Sequence, residues 1–498
     1  MNEHTQSAES ETQGRRPDPG NRRAAAVAWV LGLVLLAVLV VTNMRSARED
    51  AAAKLAEMAK EPEPPTVSDP FLLSSKMLLR LVHGSLADPA SSQMIETNLV
   101  AAAQTDLDRL RLAMLRADMA GDEEGLKSLE GARERAAAGK GAPAWWDEDA
   151  ASLERVLTNG ETGSSESLDA LKARHGWFAE VLATRRLSMT DPARRGVIGG
   201  EGALIFMALA AGGVILVAVV GGLVAGVFAL IGLFGGKFRS GLDVPLPGGS
   251  VYLETLAVFL IGFLGLKQVM PLVLAMTGVL KEGVEPPAWL TPFSLGTQWL
   301  LLPLIFWPLV RGVSWGRWRR DMGWHSGRGV WREIWSGVYA YFAGLPLLAM
   351  AAIVTLVIVL IRQAAAAQAT GEPAPPPSNP IVEILGSASG FTMLMLFVLA
   401  TVWAPVVEET LFRGGLFRHL RSRLGGVFGV LLAAGLSAVW FGLMHSYEIP
   451  LLLPVITLGF VFALMREWRG SLIGCMVAHG LHNATVLGLA IGFLRAIS

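Results

Sequence analysis

Long apolar stretches recur along this chain, separated by short polar breaks. Residues 24–42 (AAAVAWVLGLVLLAVLVVT) form the first and carry no ionisable side chain. Others follow at about 203–236, 251–280, 296–310, 337–361, 389–407, 425–444, 451–465 and 471–494. A hydrocarbon core about 30 Å thick takes about 20 apolar residues of helix, and a helix satisfies its own backbone polar groups there. The pattern therefore predicts an all-α fold, a polytopic transmembrane helical bundle of about 8–10 spans. The 203–236 run is too long for one upright span and is glycine-rich, so it is expected to tilt or break. The 251–280 run contains Glu254 and Lys267, so part of it is expected to lie along the interface.

A different pattern fills residues 44–199. Leu107, Leu110, Leu112, Met114, Leu115 and Met119 recur at helical spacing, which predicts amphipathic helices. Gly121-Asp122 and Gly139-Lys140-Gly141 break them into helix–turn–helix pieces. No fixed repeat period is evident. The expected organisation is a disordered basic tail (1–23), an anchor (24–43), an extramembrane α-helical domain (44–199), N-terminal transmembrane helices (200–380) and a C-terminal core (381–498). Within the fourth part, the Ala/Pro-rich residues 364–379 read as an extended loop. The first run is longer than the apolar region of a signal peptide and reads as an uncleaved anchor. Arg15, Arg16, Arg22 and Arg23 precede it, which places the N-terminus in the cytoplasm. The 44–199 domain then faces the other side of a plasma (inner) membrane, as a solvated spacer or as a substrate- or partner-binding module.

Composition sharpens this division. Only 17% of the 498 residues are charged, against roughly 25% in a soluble domain. Residues 44–199 hold 45 of the 84 charges, and residues 200–498 hold only 31. The second figure is too small to solvate a globular surface, so a single soluble enzyme is excluded. The net charge of zero argues against a nucleic-acid binder. The lone Cys475 rules out an intrachain disulfide framework. The basic, tryptophan-rich segment 311–332 (RGVSWGRWRRDMGWHSGRGVWR) lies between apolar runs. It reads as a cytoplasmic loop anchored at the bilayer surface rather than as a nucleic-acid patch.

Ionisable groups on apolar helices are costly, so each is a candidate for function. Three clusters stand out: Glu408-Glu409-Thr410-Leu411-Phe412-Arg413, Phe441-Gly442-Leu443-Met444-His445, and His479-Gly480-Leu481-His482-Asn483. Glu409 and Arg413 share a helix face and can pair. Glu408 points about 100° away, free to face a cavity. Phe441 can pack beside His445, and His479 shares a face with Asn483, whereas His482 lies on another. A carboxylate with an imidazole can activate water, and an imidazole with a carboxamide can stabilise an oxyanion. A lone buried histidine is more often a helix–helix hydrogen-bond partner. Three such clusters on successive apolar runs favour the catalytic reading.

The strings EETLFR, FGLMH and HGLHN, in this order, resemble the signatures of the CPBP family of intramembrane proteases (CAAX protease / bacteriocin-processing, or Abi). That family includes the type II CAAX prenyl endopeptidases and bacteriocin-immunity proteins. The resemblance covers residues 381–498. It implies that Glu408 is the general base, assisted by His445, while His479 and Asn483 orient the scissile carbonyl and stabilise the oxyanion. Glu409, Arg413 and Phe441 would support them. The family is often called metalloprotease-like, and Glu408, His445 and His479 are the candidate ligands for Zn²⁺. No His-Glu-x-x-His helix is present, and the same groups can work as a metal-free glutamate hydrolase. Rhomboid-type Gly-x-Ser-Gly and presenilin-type Gly-x-Gly-Asp strings are absent.

The expected function is an endopeptidase that hydrolyses a peptide bond near or within the membrane, with a peptide or protein substrate and the lipid bilayer as partners and no nucleic acid. The alternative is a non-catalytic scaffold or immunity-like binding protein on the same fold. A transporter would show inverted repeats, and none is seen. One spatial conflict accompanies this expectation. If residues 414–424 form a simple loop, Glu408 and His445 fall ~30 Å apart in depth. The segment from Pro405 to about Leu420 is therefore expected to be an embedded or re-entrant helix of its own.

Overall fold

The computed structural model describes residues 16–57, 62–65, 69–83, 96–100, 102–103, 105–138, 143–280, 287–370, 381, 384–385 and 388–497. Arg15 and most of the expected basic tail, Gly139-Lys140-Gly141, and residues 371–379 of the expected Ala/Pro-rich loop lie outside them. The described residues form helices and no strands, with one isolated β-bridge between Pro17 and Leu246. Among them, nine helices are long and apolar enough to cross a membrane. The chain is an integral membrane protein with a polytopic helical bundle.

The first long helix, α1 (Arg22–Glu57), contains the apolar run 24–42. Shorter helices follow, among them α2 (Pro70–His83), α3 (Asp106–Ala120), α4 (Asp122–Ala138), α5 (Ala144–Asn159), α6 (Glu166–His175), α7 (Trp177–Thr184) and α8 (Pro192–Ile198). They enclose their own apolar core, with Leu110, Trp146, Leu153, Leu168 and Phe178 fully buried. Thr105 and Asp108 form a reciprocal capping box that starts α3. Gly121, at φ 98°, separates α3 from α4 as the Gly-Asp pair predicts.

Next comes α9 (Glu201–Phe234), whose 34 residues run without a break, which leaves tilt as the way a helix of this length fits a bilayer. Helix α10 (Val251–Met276) is a candidate span along its whole length. Its two charges are not exposed to lipid alone. Glu254 accepts from Arg311 and Trp307, and Lys267 donates to Asn43. Partners inside the bundle thus remove the reason for that segment to lie along the interface.

Helix α11 (Leu290–Val310) tightens to 3₁₀ geometry over Gln298–Phe306 around Pro303. The Arg/Trp-rich loop folds into the short α12 (Trp315–Met322), ahead of α13 (Val330–Thr370). The last four helices are α14 (Gly390–Arg421), α15 (Gly426–Leu443), α16 (Leu452–Arg469) and α17 (Ile473–Ile497). Arg80 of α2 donates to the carbonyls of Ala496 and Ile497, tying α2 to the C-terminal end of α17.

Helix α14 resolves the depth conflict differently from the expected separate helix. The apolar run does not end before the first motif; one 32-residue helix continues through it to Arg421. The chain turns only at residues 422–425. Glu408 therefore lies about 20 Å along its helix from that turn, and His445 about 28 Å along the returning α15. The remaining offset of about 8 Å is within reach of two side chains and a modest helix tilt. Residues 410–418 are all buried, because α10, α12 and α15 surround this half of α14.

Candidate active site

The backbone of α14 departs from regular α geometry on both sides of the glutamates. It widens to π geometry at Leu399–Trp403 and again at Thr410–Phe417. Pro405 accounts for the first of these. Its ring clashes with the carbonyl one turn back and it has no N–H to donate. The Ala404 N–H bonds to the Leu399 carbonyl instead, and the Ala400 carbonyl is left without a helical donor. Asn483 of α17 supplies one: its Nδ2 donates to Ala400 O at 2.7 Å. The adjoining Gly480 lets α17 approach, because a Cβ there would lie 2.9 Å from the Thr401 carbonyl oxygen. A π-widened turn and the two residues that accommodate it thus set the register between the first and third motifs.

That register brings His479 against the glutamates. Its Nδ1 donates to Glu409 Oε1 at 2.9 Å, and its Nε2 faces Glu408 Oε2 at 4.0 Å. Arg413 Nη1 donates to the same Glu409 oxygen at 3.0 Å, and its Nη2 donates to the Gly459 carbonyl at 3.1 Å. Glu409 and Arg413 are completely buried. The guanidinium lies 4.3 Å from the centre of the Phe441 ring and 5.3 Å from that of Phe462. A buried charge pair needs close partners, and this one has an ion pair, a carbonyl and aromatic faces, although Glu409 Oε2 and Arg413 Nε have no hydrogen-bond partner among the described residues. Gly459 permits the arrangement, since a Cβ there would press on Phe441, Ala438 and Arg413.

His445 follows α15. Its Nδ1 donates to the Phe441 carbonyl at 2.8 Å, and Phe441 packs edge-on against it with centroids 4.9 Å apart. Phe441 also lies 6.0 Å from the His479 ring, so it stands between the two imidazoles. Both Nδ1 atoms face acceptors that cannot donate, so each neutral imidazole carries its proton there and keeps an Nε2 lone pair. Glu408 Oε2 is buried and has no hydrogen-bond partner among the described residues. The structure therefore gathers Glu408, Glu409, Arg413, Phe441, His445 and His479 in one place, with Asn483 one turn further along α17. His482 faces away and lies 3.4 Å from the Tyr341 hydroxyl.

Three contributors carry no motif signal. Phe462 stacks on His479 with centroids 5.5 Å apart, and Gly459 offers the carbonyl that holds Arg413. Tyr447 lies beside His445, with ring centroids 5.6 Å apart. Burial, together with the Glu408 charge, raises the Tyr447 phenol above its usual range, so it stays a proton donor. Helical spacing within one segment cannot reveal them, because they come from other helices or from the turn after α15.

The Zn²⁺ ligand set implied by the resemblance was tested against this geometry. Among the described residues, no group of three His, Cys, Asp or Glu side chains converges closely enough to hold one metal ion. Glu408, His445 and His479 are gathered but not in ligand geometry, although each imidazole keeps its Nε2 free. As arranged, the described residues do not form a metal site.

The family model described as Type II CAAX prenyl endopeptidase Rce1-like matches residues 390–485. This stretch contains all three motif clusters, with α14–α16 whole and the first half of α17. It agrees with the family that the motifs resemble. No curated protein and no solved structure matches the chain.

Proposed function

We propose, with the family match over residues 390–485 as premise, that this protein is an intramembrane endopeptidase of the CAAX-protease type in which Glu408 activates water. One observation carries this reading. The partnerless Glu408 Oε2 and the His479 Nε2 lone pair face each other across 4.0 Å. Two acceptors cannot bond to each other, but a water can donate to both. Two hydrogen bonds of about 2.8 Å at the angle of a water molecule span about 4.4 Å, close to that separation. The water is then held with an oxygen lone pair free to attack a carbonyl carbon, and Glu408 is placed to take its proton.

Glu409 fixes the His479 tautomer and ring orientation, and Arg413 balances the Glu409 charge. Once the water proton is on Glu408, it can pass to the departing amine. His445 Nε2 remains available to assist Glu408. Asn483, whose Nδ2 already serves Ala400, contributes through α14. The Tyr447 hydroxyl is the unspent neutral donor at the mouth of the site and suits a developing oxyanion. The peptide substrate approaches from the bilayer, and the basic residues at the α1 start and in 311–332 favour a cytoplasmic position for that end of the bundle.

The test is processing of a prenylated, CAAX-ended peptide and its unprenylated counterpart by the full-length protein in lipid nanodiscs. Wild type should cleave, and Glu408→Ala and His445→Ala should not. Cleavage by both variants at the wild-type rate would remove the mechanism. Equal turnover of both peptides would remove the prenyl group from recognition.

A further inference from the structure

The end of the bundle where α1 begins holds a cavity that takes no part in the site above. It encloses about 360 Å³ between the residues ahead of α1, the start of α10 and the turn from α11 to α12. Its polar wall is made by Arg16, Gly20, Arg311, Ser314, Arg317 and Arg320. Two of the four guanidiniums are held in place. Arg311 Nε donates to Glu254 at 2.9 Å, and Arg317 reaches Asp321 at 3.4 Å and the Pro17 carbonyl at 2.8 Å. Arg16 and Arg320 are exposed, and neither forms an ion pair among the described residues. The wall thus offers oriented N–H groups and an uncompensated positive charge. Ser314 caps α12, whose positive helix end adds to the same field.

The depth of the cavity indicates what fills it. Val251 is the first residue of α10, and Arg311 directly follows the last residue of α11. The cavity therefore sits where two spans leave the hydrocarbon. Val310 and Trp315 flank it, 77% and 52% exposed. Trp315 stacks on the buried Trp318 with centroids 5.0 Å apart, which fixes an indole at the level where tryptophan meets headgroups. A free anion would use the arginines and leave these apolar side chains unexplained. A phosphate attached to acyl chains uses both.

We infer that this cavity binds the phosphate headgroup of an anionic phospholipid, with the guanidiniums on the phosphate oxygens and the acyl chains along Val310 and Trp315. Guanidinium is matched to phosphate through paired, charge-assisted hydrogen bonds. The bound lipid would add to the bonds that join the segment ahead of α1, α10 and α12, among them Val251 N–H to the Pro19 carbonyl at 3.0 Å and Arg317 to the Pro17 carbonyl at 2.8 Å. Because α12 also packs on the motif-bearing half of α14, bound lipid would stiffen the support of the site without touching it.

The full-length protein can be delipidated in detergent and titrated with phosphatidylglycerol or phosphatidylcholine, with bound lipid counted by native mass spectrometry. Phosphatidylglycerol should bind in preference. The double variant Arg16→Ala/Arg320→Ala should weaken it by about tenfold or more. Arg328→Ala/Arg332→Ala, which removes two exposed arginines at the same end but outside the cavity, should leave binding unchanged. All of these side chains are exposed, so equal thermal unfolding of the three proteins is expected and separates binding from folding. An equal loss in both double variants would reduce the effect to general surface charge and overturn the site. Equal binding of phosphatidylcholine would also overturn it, as would displacement of the lipid by matched inorganic phosphate.

Discussion

Glu408 and Glu409 are neighbours in the chain, yet replacing them is expected to have opposite consequences. Glu409 is fully buried and binds Arg413 at 3.0 Å and His479 at 2.9 Å. Glu409→Ala leaves a buried guanidinium with no counter-charge, which costs about 3–5 kcal/mol. It also frees the His479 ring to rotate. Glu408 is not in an ion pair closer than the 4.0 Å approach of His479, and one of its oxygens has no partner. Glu408→Gln keeps its shape and removes a poorly solvated charge, so stability should be unchanged within about 0.5 kcal/mol or slightly raised. Hydrolysis should fall by about 10²–10⁴-fold, the usual worth of a general base. Both quantities can be read on one nanodisc preparation, as peptide turnover and thermal unfolding. A third variant separates the two roles of Glu409. Glu409→Ala/Arg413→Met removes the stranded charge and fills the aromatic cage, so it should recover much of the stability but none of the turnover. The reasoning is refuted if Glu408→Gln unfolds as early as Glu409→Ala, or if it retains turnover within about tenfold of wild type.

Further expectations follow from the same geometry. Asn483→Ala should lower stability by about 1–3 kcal/mol, because it leaves the Ala400 carbonyl unpaired. A loss of turnover with no change in unfolding would show instead that Asn483 acts on the substrate. Gly480→Ala should destabilise by about 1–3 kcal/mol, since its Cβ would meet the Thr401 oxygen; an unchanged unfolding temperature would show that α17 can shift at no cost. Asp18, almost fully buried beside Arg418, has its carboxyl raised to about 6, chiefly by burial and against the pull of the arginine. A carboxyl raised in the folded state contributes stability that is present below its unfolded value and lost as pH rises through about 6. Relative to Asp18→Asn, wild type should therefore gain unfolding temperature as pH falls from 7.5 to 5. A difference that does not vary with pH would contradict that placement. Exhaustive chelation should leave turnover unchanged, and a loss restored by added Zn²⁺ would overturn the metal-free route.

Much of the architecture could be read from apolar run length, because a bilayer-spanning helix must pair its own backbone and expose apolar side chains. All nine runs correspond to candidate spans; the first and third motif clusters lie on helices, and the second runs off the end of α15 so that His445 sits in the turn after it. The errors share a cause. Glu254 and Lys267 suggested an interfacial segment, and the polar residues after Val407 suggested the end of a span. In both places partners on other helices absorb the charge: Arg311 and Trp307 for Glu254, Asn43 for Lys267, and His479 and Gly459 for the glutamate–arginine motif.

The sequence by itself determined the solvent of each segment, the all-α class, and the identity of the polar groups placed where apolar side chains are expected. These depend on local composition and on the helical period. Only the tertiary structure decided what each polar group does. Glu408 and Glu409 have the same chemistry and adjacent positions, and nothing local separates them beyond a 100° turn of the helix. Packing gives Glu409 an arginine, an imidazole and complete burial, and it leaves Glu408 an unpaired oxygen facing a nitrogen lone pair. Glu409 also keeps one unpaired oxygen, so what sets Glu408 apart is the nitrogen lone pair that the helices packed around it bring opposite its carboxylate.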